Sequence, residues 1–276
     1  MLFGISTFAT DYSIAAAELA REAEARGFDS IWLAEHTHIP LSQRTLPDGA
    51  ALPQHYWHSL DPFLALAAAA AATKTIKLAF GVCLVIERDT ITTAKEVSTL
   101  DLLSGGRVIF GIGGGWNEPE MRHHGTDPKT RFARMREQVR AMKEIWTKDE
   151  AEFHGKHVDF DPIWQWPKPV QKPHPPVVIG GGGPRVLERV VDYGDGWYPL
   201  RNVDELERRV PELNRMAEAA GKPKPEVSTG ARPDPAEIER LRKLGVERVV
   251  FGITAGPRDE MLAKLDEAAG TAKRFA

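Results

Sequence analysis

The stretch VVIGGGGPRVLERV, Val177 to Val190, contains one complete unit of the fold that this chain is predicted to form. An apolar run ends in four glycines, and Pro184 then opens a helical pattern, since proline suits the first turn of a helix. Outward from this stretch, apolar or β-branched runs recur along the chain, each followed by a helical pattern, which indicates parallel strands joined by crossover helices. The eight runs are 2–6, 30–34, 76–85, 107–113, 177–180, 196–200, 226–230 and 248–253.

Eight strand and helix units favour closure into a (β/α)8 barrel, or TIM barrel, over an open sheet. Such barrels commonly reach about 250 residues as one domain, so residues 1–276 are predicted to form a single α/β barrel domain. The segment 148–176 interrupts the alternation with Trp164, Trp166 and six prolines. It is too long for a plain connection and is predicted to be an insertion or a lid before the fifth strand.

Composition favours a small-molecule ligand. A net charge of -3 and a charged fraction of 27% give no reason to expect nucleic acid or an anionic membrane as the partner.

Cys83 is the only cysteine, which excludes an intrachain disulfide and a CxxC metal site. The first residues lack the pattern of a signal peptide, and the longest apolar run, 64–72, is too short to span a bilayer. A cytoplasmic location is therefore expected.

The residues that follow each strand are the candidates for chemistry, because the active sites of such barrels lie at the carboxyl ends of the strands. Glu35 and His36 follow the second strand. Imidazole titrates near neutral pH, so His36 is predicted to donate or accept a proton beside a bound cofactor. Glu35 would orient the ring or tune its proton affinity. The alternative is an ion pair or hydrogen bond that only closes the barrel top.

A metal site is the other chemistry that paired histidines suggest, and His36 and His38 are such a pair. A metal would need further ligands from other strand ends, as in metal-dependent hydrolases. The fifth, sixth and eighth strands end in Gly180, Leu200 and Thr254, which offer neither histidine nor carboxylate. No metal site is therefore expected.

The glycines after the fifth strand leave backbone N–H groups open to a ligand, because no Cβ shields them. The N-terminus of the following helix adds free donors and partial positive charge. Gly181, Gly182, Gly183 and Arg185 are therefore predicted to bind an anion, phosphate in particular. The alternative is a tight turn that needs glycine only for close helix packing. The stretch is not a dinucleotide fingerprint, since GxGxxG from Gly180 would need glycine at Arg185.

Glycine and tryptophan dominate the remaining strand ends. Gly113, Trp116 and Asn117 follow the fourth strand, and Trp197 lies in the sixth. Flat aromatic surfaces beside glycine loops suit a planar ring ligand, but both tryptophans could equally pack the rim of the barrel. The sequence leaves both alternatives open.

Five stretches, in order along the chain, resemble the luciferase-like monooxygenase superfamily, and more narrowly its oxidoreductases that use the deazaflavin coenzyme F420. The stretches are WLAEHTHIP, GVCLVIERD, TLDLLSGGRVIFGIGGGWNEPEMRHHG, WPKPVQKPHPPVVIGGGGPR and YGDGWYPL. The resemblance covers nearly the whole chain and implies a (β/α)8 barrel. It also implies an oxidoreductase that transfers a hydride between coenzyme F420 and a small organic substrate.

The resemblance further implies where the cofactor lies. Its ring would sit in the barrel mouth, and its phosphate would lie near the loop after the fifth strand, at glycines 181–183. The family often bends its third strand through a non-proline cis peptide to support the ring. This feature would fall at Gly81 and Val82, which with Cys83 are assigned to cofactor binding.

Further positions follow from the same resemblance. His36 matches an active-site histidine next to an acidic residue, here Glu35, and Asn117 matches an asparagine that follows the fourth strand near the cofactor. Gly113, also after the fourth strand, is assigned to cofactor binding as well. Many deazaflavin enzymes have aspartate in place of Glu35, and an AEH sequence is frequent among relatives that use FMN. The cofactor is therefore F420 or, alternatively, FMN. Where several deazaflavin enzymes place a glutamate after the fourth strand, this chain has GIGGG, so that acid is expected to be missing.

Other functions stay open at this point. The first alternative is an FMN-dependent luciferase-like monooxygenase that uses oxygen. A non-catalytic flavin or deazaflavin carrier and a metal-dependent hydrolase are the remaining alternatives. Relatives of this kind often form dimers, so a homodimer is also an expectation.

Overall fold

Eight parallel strands close into a barrel in the computed structural model, which describes residues 1–199 and 202–275. The barrel strands are β1 (Leu2–Thr7), β2 (Ser30–Leu33), β3 (Lys77–Phe80), β4 (Val108–Ile112), β7 (Val177–Gly180), β8 (Gly196–Tyr198), β9 (Glu226–Ala231) and β10 (Arg248–Gly252). The first and last strands pair directly, with Leu2 opposite Arg248, so the sheet closes on itself. The predicted (β/α)8 barrel is confirmed.

Helices follow the barrel strands and pack around them. They are α1 (Ala16–Ala25), α2 (Pro62–Ala72), α3 (Thr90–Ser104), α4 (Glu118–His123), α5 (Arg131–Thr147), α6 (Val186–Tyr193), α7 (Val203–Ala219), α8 (Pro235–Lys243) and α9 (Arg258–Ala272). Capping residues explain several starts: Asp61 accepts the N–H of Leu64 at the start of α2, ahead of a proline in the first turn. Within residues 1–199 and 202–275, no helix combines the length and apolar character that crossing a membrane requires.

The third strand is shorter than predicted. β3 ends at Phe80, although the apolar run continues beyond it. A cis peptide then joins Gly81 to Val82, as the resemblance implied, and Cys83 rejoins the sheet as a bridge to Ile112. The chain after β3 therefore turns across the barrel mouth, toward the end of β4.

The other barrel strands lie within two residues of the predicted runs. β8 ends at Tyr198. Leu200, where this strand was predicted to end, lies outside the described residues.

The segment 148–176 contains a two-stranded antiparallel hairpin, β5 (Glu150–His154) and β6 (Asp159–Trp164). Glu137 on α5 accepts the backbone N–H of His157 at 2.6 Å, and Gln165 donates to the carbonyl of Ile91 on α3 at 3.0 Å. Within the described part of the chain, the hydrogen bonds of this segment reach α3, α5 and the start of β4 rather than the carboxyl ends of the strands. The segment is therefore an insertion on the outer wall, and the alternative of a lid over the mouth does not match its position.

The barrel interior contains a small cluster beneath the mouth. Trp32 is fully buried there, packs with apolar residues from the neighbouring strands and stacks on Tyr198 with ring centroids 4.7 Å apart. Its indole N–H donates to Ser30 at 2.9 Å, so the one polar atom of the ring is satisfied. A larger apolar core lies between the strands and the surrounding helices. The filled interior gives any ligand at the mouth a rigid floor.

Candidate active site

A cavity of about 290 Å³ opens at the carboxyl ends of β1, β2, β3 and β10. Its lining residues are Ser6, Thr7, Phe8, Ala34, His55, Gly81, Gly252, Ile253, Thr254 and Ala255. The only titratable side chain among them is His55, and burial lowers its pKa, which favours the neutral ring. An uncharged, largely apolar wall of this kind suits an organic ring or a small neutral molecule.

A larger surface cleft of about 410 Å³ lies between the starts of α7 and α8, but its charges are paired with one another. Arg240 contacts Asp204 at 2.6 Å, and Arg232 contacts Glu237 at 3.3 Å. Charges that already have partners are poor candidates for chemistry on a ligand. The groups suited to proton transfer gather instead beside the cavity at the ends of β1, β2, β3 and β10.

His36 and Glu120 form a buried pair beside this cavity. Nδ1 of His36 lies 2.6 Å from Oε2 of Glu120, and the two residues are 7% and 0% exposed. The second carboxylate oxygen, Oε1, accepts the backbone N–H of Thr37 at 3.1 Å. A carboxylate that holds Nδ1 fixes the orientation of the ring and leaves Nε2 available for another partner. The pair can therefore store a proton and present it at a defined atom.

Helix α4 puts Glu120 in this position. Its cap is Asn117, whose side-chain oxygen accepts the N–H of Glu120 at 3.4 Å. The expectation that no carboxylate would follow the fourth strand is therefore wrong, because the acid comes from the first turn of α4 rather than from the strand end. The sequence signal was NEPE, residues 117–120, an asparagine cap followed by proline and acidic residues in the first turn.

Glu35 has a different partner from the one predicted. Its carboxylate accepts the N–H of Leu84 at 2.7 Å and the Nε–H of Arg88 at 2.7 Å. Arg88 also binds Asp61 at 2.6 Å. The prediction that Glu35 orients His36 is corrected, since Glu120 does so. Glu35 instead anchors the chain that follows β3.

Three aromatic rings enclose His36. The ring centroids of Tyr56, Trp116 and Phe8 lie 5.2, 5.6 and 6.4 Å from that of His36. Burial raises the pKa of Tyr56, so this phenol stays protonated at neutral pH. Trp116 thus packs against His36 at the candidate site. Trp197 does not face it, because this ring is 1% exposed and its N–H donates to the carbonyl of Gly181 at 2.9 Å.

The bend after β3 explains several glycines at the mouth. A side chain at Gly81 would approach Cβ of Trp32 to 3.1 Å, and side chains at Gly113 and Gly180 would meet the methyl groups of Val82 at 2.6 and 2.7 Å. Val82 is thus wedged between the ends of β4 and β7. Gly113 gives room to this wedge, a packing role that does not require contact with a cofactor.

Cys83 faces away from any ligand. The residue is 0% exposed, its N–H donates to Gly111 and its carbonyl accepts the N–H of Gly113. Burial raises the pKa of its thiol, which keeps the sulfur protonated and unreactive. Cys83 contributes to the site through its backbone hydrogen bonds, which stabilise the bend at Gly81 and Val82.

The loop 181–185 has the form of an anion cradle. Gly181 has a φ of 109°, a conformation that favours glycine. The carbonyls of Gly182 and Gly183 turn toward Arg209, which donates to them at 2.7 and 3.1 Å. Among the described residues, the N–H groups of Gly182 and Gly183 have no acceptor. N–H groups without an acceptor suit a bound phosphate, provided that the neighbouring carbonyl oxygens point away from it, as they do here.

The arginine that supports this loop is not the predicted one. Arg185 is 75% exposed at its side chain and pairs with Glu188 at 2.8 Å along the surface of α6. Arg209, at 4% exposure, lies under the loop and came from α7, far along the sequence. The sequence drew attention to Arg185 because it directly follows the glycines. Nothing in the sequence indicated that Arg209 would lie beneath them.

A second set of arginines lies beside the glycine loops, around the ring of Phe132. Arg131 and Arg189 lie 4.6 and 3.6 Å from the ring centroid, and a side chain at Gly114 would meet the ring at 2.6 Å. Within residues 1–199 and 202–275, no carboxylate lies within 4 Å of Arg131, Arg134 or Arg189. Burial lowers the pKa of Arg189, as do the charges of Arg185 and Arg131, whereas Tyr193 and Glu188 raise it. Arg131 and Arg189 thus form an arginine cluster, a positive patch that suits an anion.

Buried polar atoms without partners also lie near the mouth. Nδ2 of Asn117 is buried and has no hydrogen bond to another described residue, and the same holds for Nε of Arg131 and of Arg134. Donors in this state are costly unless a ligand or water accepts from them. They fit a polar, anionic ligand at this end of the barrel.

In residues 1–199 and 202–275, no three side chains of the metal-binding types are placed to hold an ion. His38 and His123 instead hydrogen-bond to each other, with 2.8 Å between ring nitrogens.

Comparison with known proteins identifies relatives with two cofactors. The chain is 38% identical to protein Rv0953c of Mycobacterium tuberculosis over 276 residues, which cover 98% of each chain. It is 30% identical over 216 residues to an F420-dependent glucose-6-phosphate dehydrogenase from Kineococcus radiotolerans, covering 75% of this chain and 59% of that one. It is 32% identical over 132 residues to an FMNH(2)-dependent dimethylsulfone monooxygenase from Pseudomonas putida, covering 46% of this chain and 36% of that one.

The fold also matches solved structures. The crystal structure of monooxygenase RslO1 from Streptomyces bottropensis superposes with a TM-score of 0.85 and 20% identity, and both chains are covered completely. The family model for the luciferase-like monooxygenases matches residues 7–236. Because this match spans most of the barrel and Rv0953c aligns over nearly the full length, the chain belongs to the luciferase-like monooxygenase family.

Proposed function

We propose that this protein is an oxidoreductase that transfers a hydride between coenzyme F420 and a small organic substrate. The observation that carries the proposal is the buried His36–Glu120 pair beside an uncharged cavity at the barrel mouth. Hydride transfer to a carbonyl, or from an alcohol, needs a proton donor or acceptor at the substrate oxygen. A histidine held at Nδ1 by a carboxylate meets this need at Nε2.

The glycine loop and the arginine cluster support a phosphate-bearing cofactor. The N–H groups of Gly182 and Gly183, which have no acceptor in the described part of the chain, would hold the phosphate, and Arg209 would support the loop from below. The arginine cluster would add positive charge on the same side of the mouth. Gly81 and Val82 would support the ring over the floor formed by Trp32. The residues present therefore fit a flavin or deazaflavin.

Each residue at the mouth would have a separate role in the reaction. A bound deazaflavin supplies the hydride chemistry. His36 holds the proton that leaves or joins the substrate oxygen, and Glu120 fixes the ring in the orientation that makes this possible. Tyr56, Trp116 and Phe8 limit the access of water to this proton.

An FMN-dependent monooxygenase is the second candidate. The enclosed aromatic setting of His36 favours it, because oxygen-using flavin chemistry requires protection from water. The likeness to an FMNH(2)-dependent enzyme of Pseudomonas putida supports the same candidate.

The experiment that separates the candidates begins with fluorescence titration of the purified protein with F420 and, separately, with FMN. Turnover is then measured over a panel of small alcohols and ketones, with and without oxygen. F420 binding with oxygen-independent turnover would support the hydride-transfer proposal. Preference for FMN with oxygen consumption would replace it by the second candidate, and binding of neither cofactor would overturn both.

A further inference from the structure

Three further histidines gather at the surface next to the His36–Glu120 pair. His38 is half-buried, whereas His123 and His124 are exposed. Nδ1 of His38 lies 2.9 Å from the hydroxyl oxygen of Thr37, and Nε2 of His124 lies 2.7 Å from the same oxygen. His38 and His123 stack with ring centroids 5.1 Å apart. One hydroxyl therefore contacts two imidazoles that lead to solvent.

Thr37 also contacts the buried carboxylate. Its backbone N–H donates to Oε1 of Glu120 at 3.1 Å, and its hydroxyl oxygen lies 3.5 Å from the same atom. A continuous series of polar atoms thus runs from His36 through Glu120 and Thr37 to His124. The separation of 3.5 Å is at the outer limit of a hydrogen bond, so transfer should be slowest across this gap.

The buried pair needs such a connection. The side chains of His36 and Glu120 are 5% and 0% exposed, and aromatic rings surround the histidine. A ligand over Nε2 would remove the remaining route for water. A proton taken from a substrate would then stay in the site unless another group accepts it.

We propose that Thr37 and His124 form a relay that carries protons between the buried His36–Glu120 pair and solvent. The proposal rests on the proposed oxidoreductase function and assigns a role to residues outside the cavity. In the outward direction, His36 gains the substrate hydroxyl proton at Nε2 and passes its Nδ1 proton to Glu120. Rotation of the Glu120 carboxyl group carries this proton from the His36 side to the Thr37 side, because His36 contacts Oε2 and Thr37 contacts Oε1. The proton then passes to the Thr37 oxygen as the Thr37 hydroxyl proton moves to Nε2 of His124, and His124 releases a proton to solvent. The substrate loses one proton, the solvent gains one, and no electron moves along the relay.

His124 is suited to accept this proton. Its side chain is exposed overall, but partial desolvation of the ring lowers its pKa and the neighbouring His38 lowers it further, which favours the neutral ring whose Nε2 can accept. Three more distant charges also affect the pKa of His124: Glu120 and Glu35 raise it, and Arg88 lowers it. His38, the second imidazole in contact with Thr37, hydrogen-bonds to the exposed His123 and reaches solvent through it.

The first test compares two variants of Thr37. Thr37→Val removes the hydroxyl but keeps the backbone N–H that holds Glu120. We expect its turnover in dilute buffer to fall at least about tenfold and to recover as imidazole buffer is added, because a mobile base replaces the relay. Thr37→Ser keeps the hydroxyl and should restore turnover that is independent of buffer concentration. His124→Gln, which keeps a polar side chain but cannot carry a proton, should behave as Thr37→Val does.

The second test needs no cofactor. NMR titration of the histidine Cε1–H signals should show His36 and His124 titrating in shared steps in the wild-type protein and separately in Thr37→Val. His58, which pairs with Asp11 elsewhere on the surface, is the control signal and should not change.

Equal turnover of Thr37→Val and wild type at every buffer concentration would overturn the relay while leaving the oxidoreductase intact. Independent titration of His36 and His124 in the wild type would also overturn it. Failure of the protein to bind F420 or FMN would instead remove the proposed function, and the titration would still decide whether the protons of the two histidines are coupled.

Discussion

Two buried carboxylates lie at the barrel mouth, and they differ in what they bind. Glu35 holds Arg88, a group that keeps its charge at any ordinary pH, together with the N–H of Leu84. Glu120 holds Nδ1 of His36, and either nitrogen of an imidazole ring can bind or release a proton. The first pair is fixed in charge and anchors the chain after β3. The second can change its protonation and is available for chemistry.

The comparison shows that burial and charge do not by themselves identify a functional acid. Both carboxylates are at most 3% exposed, and both follow barrel strands at the same face. The nature of the partner decides the role, because a permanent counter-charge satisfies a carboxylate whereas a titratable one lets it share a proton. Four substitutions test this distinction.

Glu120→Gln should have the largest effect, on turnover. Loss of the charge beside Nδ1 removes the group that orients His36 and accepts its proton, so turnover should fall about 10²- to 10⁴-fold, with a much smaller change in stability. Steady-state kinetics on F420 with an accepted substrate would measure this. Glu118→Gln, two residues earlier on the same helix and exposed, is the control and should keep wild-type turnover. A Glu120→Gln enzyme with normal turnover would show that His36 does not need its carboxylate.

Glu35→Gln should act mainly on stability. It leaves Arg88 buried with weaker compensation from Asp61, and breaking a buried pair costs about 3 kcal/mol. Urea unfolding would measure the loss in the free energy of unfolding. Asp266→Asn, which breaks an exposed pair with Arg26, is the matched control and should cost less than about 1 kcal/mol. Equal losses in the two variants would contradict the structural role of Glu35.

Glu87 extends the comparison to a carboxyl with no described hydrogen-bond partner. Both of its oxygens are buried, and burial, with the charges of Glu120 and Glu35, raises its pKa from 4.5 to about 9. The folded state therefore holds more protons than the unfolded state between these values, and this residue makes stability fall as pH rises through that window. Glu87→Gln should stabilise the protein by about 3 kcal/mol at pH 7, with little effect below pH 4.5.

Urea unfolding of wild type and Glu87→Gln from pH 4 to pH 9 would measure this difference. A gap between the two proteins that does not widen with pH would show that Glu87 is not held protonated in the folded state.

Arg189→Gln tests whether a cation without a carboxylate partner binds a ligand. Its effect, on cofactor affinity, should be the smallest of the four. Arg88 has carboxylate partners, but Arg189 has none within 4 Å in the described chain, so its charge is available to a ligand. We expect Arg189→Gln to weaken FMN or F420 binding about tenfold, or about 1.4 kcal/mol. Binding of riboflavin, which lacks the phosphate, should not change. Arg185→Gln, whose side chain pairs with Glu188, is the control. A larger loss at Arg185 would support the sequence-based choice of arginine instead.

Most of the fold could be predicted from the sequence. Apolar runs alternate with helical patterns, and this local periodicity reports which face of each element is buried. The positions of the barrel strands follow from it, except where β3 leaves the ladder after Phe80. The apolar run continues there, and only the contacts of Leu84 with Glu35 and of Cys83 with Gly111 show that the chain has turned into the mouth.

The candidate site was predicted in part. His36 and the glycine loop were visible because their residue types and positions at strand ends are distinctive. Glu120 and Arg209 were missed, since an acid on a short helix and an arginine on α7 resemble ordinary surface residues in sequence. The sequence left 148–176 as an insertion or a lid, because length and composition indicate a long insertion but not the part of the barrel wall against which it packs.

The sequence by itself determined the barrel, the glycines that let the backbone bend and the histidine at the second strand end. These features depend on local periodicity and on the conformations open to single residues. The tertiary structure decided which carboxylate meets which partner. His36 and Glu120 are 84 positions apart, Glu35 and Arg88 are 53 apart, and their pairing depends on how separate loops converge when the barrel closes. Adjacent residues such as Glu35 and His36 can face different neighbours, so closeness in sequence did not predict contact.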